Sequence, residues 1–370
     1  MYFSEQHIGM FGQPFRYVMC RKPAYVVFLA LLFLVSCTAY RSAYISDRGV
    51  YYYNRIEIGG INQAIMVRGH DKNNPVMLFL HGGPGFPLFP VDQASSVMRQ
   101  LEEHFTMVYW EQRGTGGSFS WRLPLKSLTV EDFVEDTREV IEYVNRLLGS
   151  EKVFIWGHSW GSTVGALFAA QYPEYLHAYV STGQSVNPFL NERLSYTFVM
   201  DRAFTEGNRR ALRDMERVDT IPERYTLRDA LLVRRWVYRF GGVVKQQDER
   251  GKYIDFAYIL NTLSAPEYGV LDKVNMVLMP YFSAEELWED LKKLNLMEKA
   301  PKIDVPVFFL LGRYDFVVSS VLAEEYFYHL EVPMGKWIIW FDESAHRPHH
   351  EEKEKFLEVM EQMVLPLARP

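Results

Sequence analysis

From residue 51 onward, apolar and polar positions alternate in blocks that predict a strand-and-helix chain. Tyr51–Ile58 and Ile61–Arg68 read as two antiparallel strands joined at Gly59-Gly60, a dipeptide suited to a tight hairpin. Pro75–Leu80 (PVMLFL) is apolar throughout, the pattern of a strand buried on both faces of a parallel sheet. Thr106–Trp110, Lys152–Trp156 and His177–Val180 repeat that pattern. Helical spacing separates them, clearest over Glu131–Leu148 and again over Ser162–Gln171. Such alternation predicts an α/β fold with right-handed crossovers and a mainly parallel central sheet.

The alternation stops near Asn187. From 187 to 300 the chain shows amphipathic helical patches and no clear strand, which predicts a helical cap inserted into the sheet domain. Strand patterns return at Val307–Leu311 and Trp337–Phe341, with helices over Val321–Leu330 and from Glu351 to about Val364. The expected organisation is a first core segment at 46–186, the cap at 187–300 and a second core segment at 301–370.

The N-terminal 45 residues differ in kind. An uncharged apolar run, Ala24–Val35, follows Arg21 and Lys22 and ends in Leu34-Val35-Ser36-Cys37. A basic stretch followed by a short apolar run reads as a signal peptide, and its end resembles the bacterial lipobox, which implies lipidation at Cys37. Translation from Met19 would give a more compact signal than the printed start. An uncleaved membrane anchor and other processing are alternatives, although the run is short of the roughly 20 residues of a full span. Each reading places the folded part outside the cytoplasm or at a membrane surface.

Composition narrows the chemistry. The formal net charge is −6 with no basic tract, which argues against nucleic acid as a partner. Both cysteines, Cys20 and Cys37, precede the folded region, so the rest has no disulfide, no thiolate metal site and no cysteine nucleophile. The remaining histidines show no metal-ligand spacing, and no cofactor or metal is expected.

Gly157-His158-Ser159-Trp160-Gly161 fits G-x-S-x-G between a strand and a helix pattern. This context makes Ser159 a candidate nucleophile on a tight turn, its hydroxyl near a helix N-terminus. His81-Gly82-Gly83-Pro84-Gly85 follows another strand, where a glycine-rich turn can aim a backbone N–H at a developing oxyanion; the Trp160 N–H is the expected second donor. A serine nucleophile needs a base and an orienting acid. Asp315 follows the strand VFFLL and His346 follows WIIWF, each at a strand's C-terminal end. Asp304 precedes its strand, and His349 and His350 lie on the final helix, so these are weaker candidates.

Together HGGPG, the stretch Glu111-Gln112-Arg113-Gly114-Thr115-Gly116-Gly117-Ser118 and GHSWG resemble the prolyl iminopeptidase branch of the α/β-hydrolases, over essentially Tyr51 to the C-terminal helix. The middle motif of that branch usually begins with aspartate, here Glu111. The resemblance implies an α/β-hydrolase fold with a helical cap, a triad of Ser159, Asp315 and His346, and an oxyanion hole at Gly83 and Trp160. It also implies a small-molecule or short-peptide substrate whose free amine is held by acidic residues, one corresponding to Glu267. A second acidic position in some members falls on Phe316, whose apolar side chain leaves room for an ester or another amide. Arg113 is expected to brace the site. The implied activity is aminopeptidase, with carboxylesterase as the alternative. Epoxide hydrolase and dehalogenase chemistry is disfavoured because those relatives use aspartate where Ser159 stands, and a non-catalytic binding protein is disfavoured by the three motifs.

Overall fold

The computed structural model describes residues 44–45, 48–86, 89, 95–124, 128–245, 265–279 and 281–368. The expected signal segment with Cys37 and Met19 lies outside the described residues. Among those described, no helix is long and apolar enough to cross a membrane.

Among the described residues nine strands form one sheet: β1 (Tyr44–Ile45), β2 (Val50–Ile58), β3 (Ile61–Gly69), β4 (Val76–Leu80), β5 (Thr106–Trp110), β6 (Val153–His158), β7 (Leu176–Thr182), β8 (Val307–Gly312) and β9 (Lys336–Phe341). Their spatial order is β1-β2-β3-β5-β4-β6-β7-β8-β9. The first three strands and the β3–β5 junction are antiparallel, and every pairing from β5 through β4 to β9 is parallel. The hairpin turns at Gly59 and Gly60, both with positive φ as such a turn requires. β1 pairs Tyr44 with Tyr51 and Ile45 with Val50, so the sheet starts two residues before the expected core boundary.

The apolar runs are explained by two-sided burial. All five residues of β4 and of β5 and all six of β8 are buried. Alternate side chains enter opposite cores, as the strand period of two demands. Val76, Leu78 and Leu80 join one cluster with Phe133 and Phe168, while Met77 and Phe79 join the other with Leu101 and Phe356. The first cluster is covered by α2 (Val130–Leu148) and α3 (Trp160–Gln171), the second by α1 (Ser96–His104) and α12 (Lys353–Val359). A Thr129–Asp132 capping box starts α2, and Gly149, at φ +73°, ends it.

Between β7 and β8 the described residues form α4 (Pro188–Thr205), α5 (Arg209–Met215), α6 (Leu227–Arg239), α7 (Val270–Leu278), α8 (Phe282–Leu291) and α9 (Leu296–Lys299), within the stretch where the sequence predicts a cap. α10 (Ser320–His329) joins β8 to β9. The expected continuous terminal helix is interrupted: α11 (Pro348–Glu351) ends at Glu352, whose φ of −126° and ψ of +58° break the helix before α12. His349 therefore sits on a separate short helix, its ring 5.2 Å from that of Trp156 of β6.

Candidate active site

Strand β6 runs into helix α3 through one residue, Ser159. Its φ of +55° and ψ of −121° make it the only non-glycine with positive φ among the described residues. L-residues pay about 1–3 kcal/mol for such a conformation, and the neighbours hold it there. Ser159 N–H donates to Thr182 O at 3.0 Å, and its carbonyl accepts from Ser162 N and Oγ at 2.9 and 2.5 Å. The flanking glycines are sterically required. A Cβ on Gly161 would stand 1.9 Å from Leu80 O, and one on Gly157 would stand 2.5 Å from Gly161 O. The turn thus presents the Ser159 side chain at the positive end of α3.

The glycine-rich loop after β4 lies against this turn. A Cβ on Gly82 would come 3.1 Å from Ser159 Cβ. A chain of polar contacts fixes loop and turn together. Trp160 Nε1 donates to Gln112 Oε1 at 2.8 Å, and Gln112 Nε2 donates to His81 O at 3.2 Å. His81 Nε2 accepts from Gln112 N at 3.1 Å, so its proton sits on Nδ1 and is donated to Gly82 O at 2.8 Å. Burial pushes the His81 imidazole down to about 4, in keeping with this neutral tautomer.

The stretch 111–118 supplies the outer supports. Glu111 accepts from Gly117 N at 2.6 Å and from the Tyr268 hydroxyl. Arg113, 1% exposed, grips Asp136 of α2 through Nε and Nη2, with Nε–Oδ2 at 2.6 Å. Its Nη1 also lies 3.6 Å from Asp132 Oδ1, so two carboxylates of α2 hold the guanidinium, the geometry of a brace.

Asp315 and His346 meet beyond the ends of β8 and β9. His346 Nδ1 lies 2.8 Å from Asp315 Oδ2, both side chains nearly buried. Asp315 Oδ1 accepts from Val317 N and Val318 N at 3.0 and 2.9 Å, which fixes the carboxylate. The His346 backbone N–H donates to Val243 O at 3.0 Å. Ser159 and His346 meet one short stretch of chain: Thr182 O accepts from Ser159, and a Cβ on the next residue, Gly183, would stand 2.8 Å from His346 Cε1.

A cleft opens over Ser159, with Gly83 and Trp160 in its lining as well. Cap residues Phe189, Leu227, Trp288 and Leu291 make its walls mostly apolar, and Val317 and Val318 add the edge beside Asp315. Glu192 contributes a buried carboxylate, already bonded to Arg234 Nη2 at 2.5 Å and to the Tyr225 hydroxyl at 3.1 Å. This cleft carboxylate is not signalled by any sequence pattern.

Glu267 is not among the residues lining that cleft. It is 5% exposed, with Oε1 accepting from the Tyr51 hydroxyl and its backbone carbonyl from the Tyr53 hydroxyl. Its Oε2 is buried with no hydrogen-bond partner. The buried Lys273 lies near enough to act on it electrostatically. Phe316 turns away into a stack with Phe198, ring centroids 3.9 Å apart, while its N–H donates to Gly242 O.

Sequence and fold comparisons agree with this architecture. A family model described as alpha/beta hydrolase fold matches residues 75–342. The chain is 29% identical over 317 residues to a protein of Bacillus subtilis named "Probable aminopeptidase YbaC", covering 84% of this chain and 95% of that one. It is 23% identical over 330 residues to a proline iminopeptidase of Saccharolobus solfataricus, covering 83% and 90%. The crystal structure of a proline iminopeptidase from Mycobacterium smegmatis superposes with a TM-score of 0.60 at 18% identity, over 86% of this chain and all of that one, a likeness of fold. With its strand order, its serine turn and this match over most of its length, the chain belongs to the alpha/beta hydrolase fold family, and within it is similar to the prolyl iminopeptidases.

Proposed function

We propose that this hydrolase acts by acyl transfer through Ser159, His346 and Asp315, as an aminopeptidase of the prolyl iminopeptidase type on small peptides. The observation that carries the reading is the strained Ser159 turn at a helix N-terminus, next to the His346–Asp315 pair. Ser159 Oγ attacks the scissile carbonyl carbon while His346 Nε2 takes the hydroxyl proton. Asp315, locked by two backbone N–H groups, fixes the Nδ1–H tautomer and stabilises the imidazolium. The Gly83 and Trp160 N–H groups receive the oxyanion, each worth about 3 kcal/mol at such sites. His346 then protonates the departing amine, and water, deprotonated by the same imidazole, releases the acyl group and restores Ser159.

The aminopeptidase reading draws support from the names of the relatives. A carboxylesterase is the second reading. It is favoured by Glu192, which enters the cleft already neutralised by Arg234. Matched rates on proline β-naphthylamide and its N-acetyl derivative, with Ser159→Ala as control, decide between them. Cleavage of the free-amine substrate alone supports the aminopeptidase. Equal cleavage of both, or turnover of p-nitrophenyl esters only, would sink it.

On sequence grounds alone, we further infer that the protein is exported and held at a membrane through Cys37. Radiolabelled palmitate should label the wild type and not Cys37→Ala; an unlabelled wild type would refute this.

A further inference from the structure

Three imidazoles outside the proposed triad line up behind its histidine. The His158 ring, one residue before the nucleophile, lies 4.7 Å from the His346 ring with a 44° tilt. His349 of α11 follows at 4.9 Å from His158, and His350 at 4.3 Å from His349. His158 cannot drift from this place. It closes strand β6, its Nδ1 lies 3.1 Å from Thr182 Oγ1, and Trp156 Nε1 holds that same hydroxyl at 3.1 Å. On its far flank a Cβ at Gly82 would approach its Cδ2 to 3.4 Å.

The His346 ring is therefore bounded on three sides. Asp315 holds Nδ1, the Gly183 backbone abuts the Cε1–Nδ1 edge, and His158 packs against the ring. Only the first two contacts belong to the acid and the strand end. The third comes from the nucleophile's own turn, so it ties the base to the residue whose proton it must take. Resting on the acyl-transfer reading above, we propose that His158 is a positioning residue that holds the His346 imidazole in line with Ser159 for proton transfer. Burial, then the neighbouring His346, Arg347 and His350, push the His158 imidazole well below its usual range. It thus stays neutral and sets no cation against His346 when that ring takes up its proton.

The test compares His158→Ala, His158→Leu and His158→Phe by second-order inactivation with a fluorophosphonate, and by kcat and KM on p-nitrophenyl acetate. Misplacing a catalytic group by about 1 Å costs up to ~100-fold in rate, so Ala should slow inactivation and lower kcat by about 10- to 100-fold while leaving KM in place. Phe, which restores a ring, should recover most of that loss. If Ala does not fold, Leu, similar in bulk without a planar ring, takes its place in the comparison. Rates equal to wild type in the folded variants, or a Phe variant as slow as Ala, would overturn the proposal. So would a fall in melting temperature with unchanged rates. A wild type that resists the fluorophosphonate would instead sink the acyl-transfer reading, and this proposal with it.

Discussion

Ser159 offers a test of the turn that needs no substrate. Its φ of +55° and ψ of −121° are set by Gly157, Gly161 and the hydrogen bond to Thr182 O, none of which involves the hydroxyl. The strain of about 1–3 kcal/mol falls on any residue with a Cβ, so Ser159→Ala keeps it and Ser159→Gly releases it. Glycine also enlarges the unfolded ensemble, at about 0.4–1 kcal/mol. The net expectation is that Ser159→Gly exceeds Ser159→Ala in stability by about 1 kcal/mol, or roughly 1–3 °C in melting temperature for a chain this long. Both variants lose the nucleophile, so any stability difference comes from the backbone. Thermal and urea melts of the two proteins side by side are sufficient. A glycine variant that melts below the alanine variant would refute the strained turn.

Asp315→Asn should fold nearly normally, because its amide oxygen can still accept from Val317 and Val318. Its NH₂ would face His346 Nδ1 and impose the wrong tautomer, lowering kcat by about 10³- to 10⁴-fold; a loss below tenfold would contradict the assigned role. His81 and His350 are held down to about 4, so both are neutral in the folded state where the unfolded chain binds protons. Stability should therefore fall as pH drops from about 6.5 towards 4, by up to about 3 kcal/mol per group. His81→Gln should flatten that slope in urea titrations, and an unchanged slope would count against the assignment. Arg113→Met should cost about 3–5 kcal/mol by taking the cation from the buried Asp136 carboxylate, which keeps the neutral Gln63 Nε2 donor, and the double variant with Asp136→Leu should regain most of it. A stable single variant would show that Arg113 is no brace.

Much of the site can be read along the chain because its parts are local to strand ends. Ser159, Asp315 and His346 each follow an apolar strand run, and a parallel sheet carries all such ends to one edge. The cap could be placed for the same reason: the strand period vanishes at Asn187 and returns at Val307. Assemblies of distant residues were not legible. The imidazole column takes His158 from β6 and His349 from a short helix created by the break at Glu352, and helical periodicity across 351–364 hides that break. The Glu192–Arg234 pair joins two cap helices 42 residues apart, with no spacing rule to announce it. Glu267, aligned by motif with an amine anchor, packs on the Tyr51 and Tyr53 hydroxyls, contacts that only the sheet's antiparallel edge creates.

The most direct test is to treat the protein with a fluorophosphonate and locate the adduct by mass spectrometry. The account predicts one adduct, on Ser159, abolished by Ser159→Ala and slowed at least ~100-fold by His346→Ala, since base removal disables the nucleophile. No adduct, an adduct on another residue, or full labelling without His346 would contradict it.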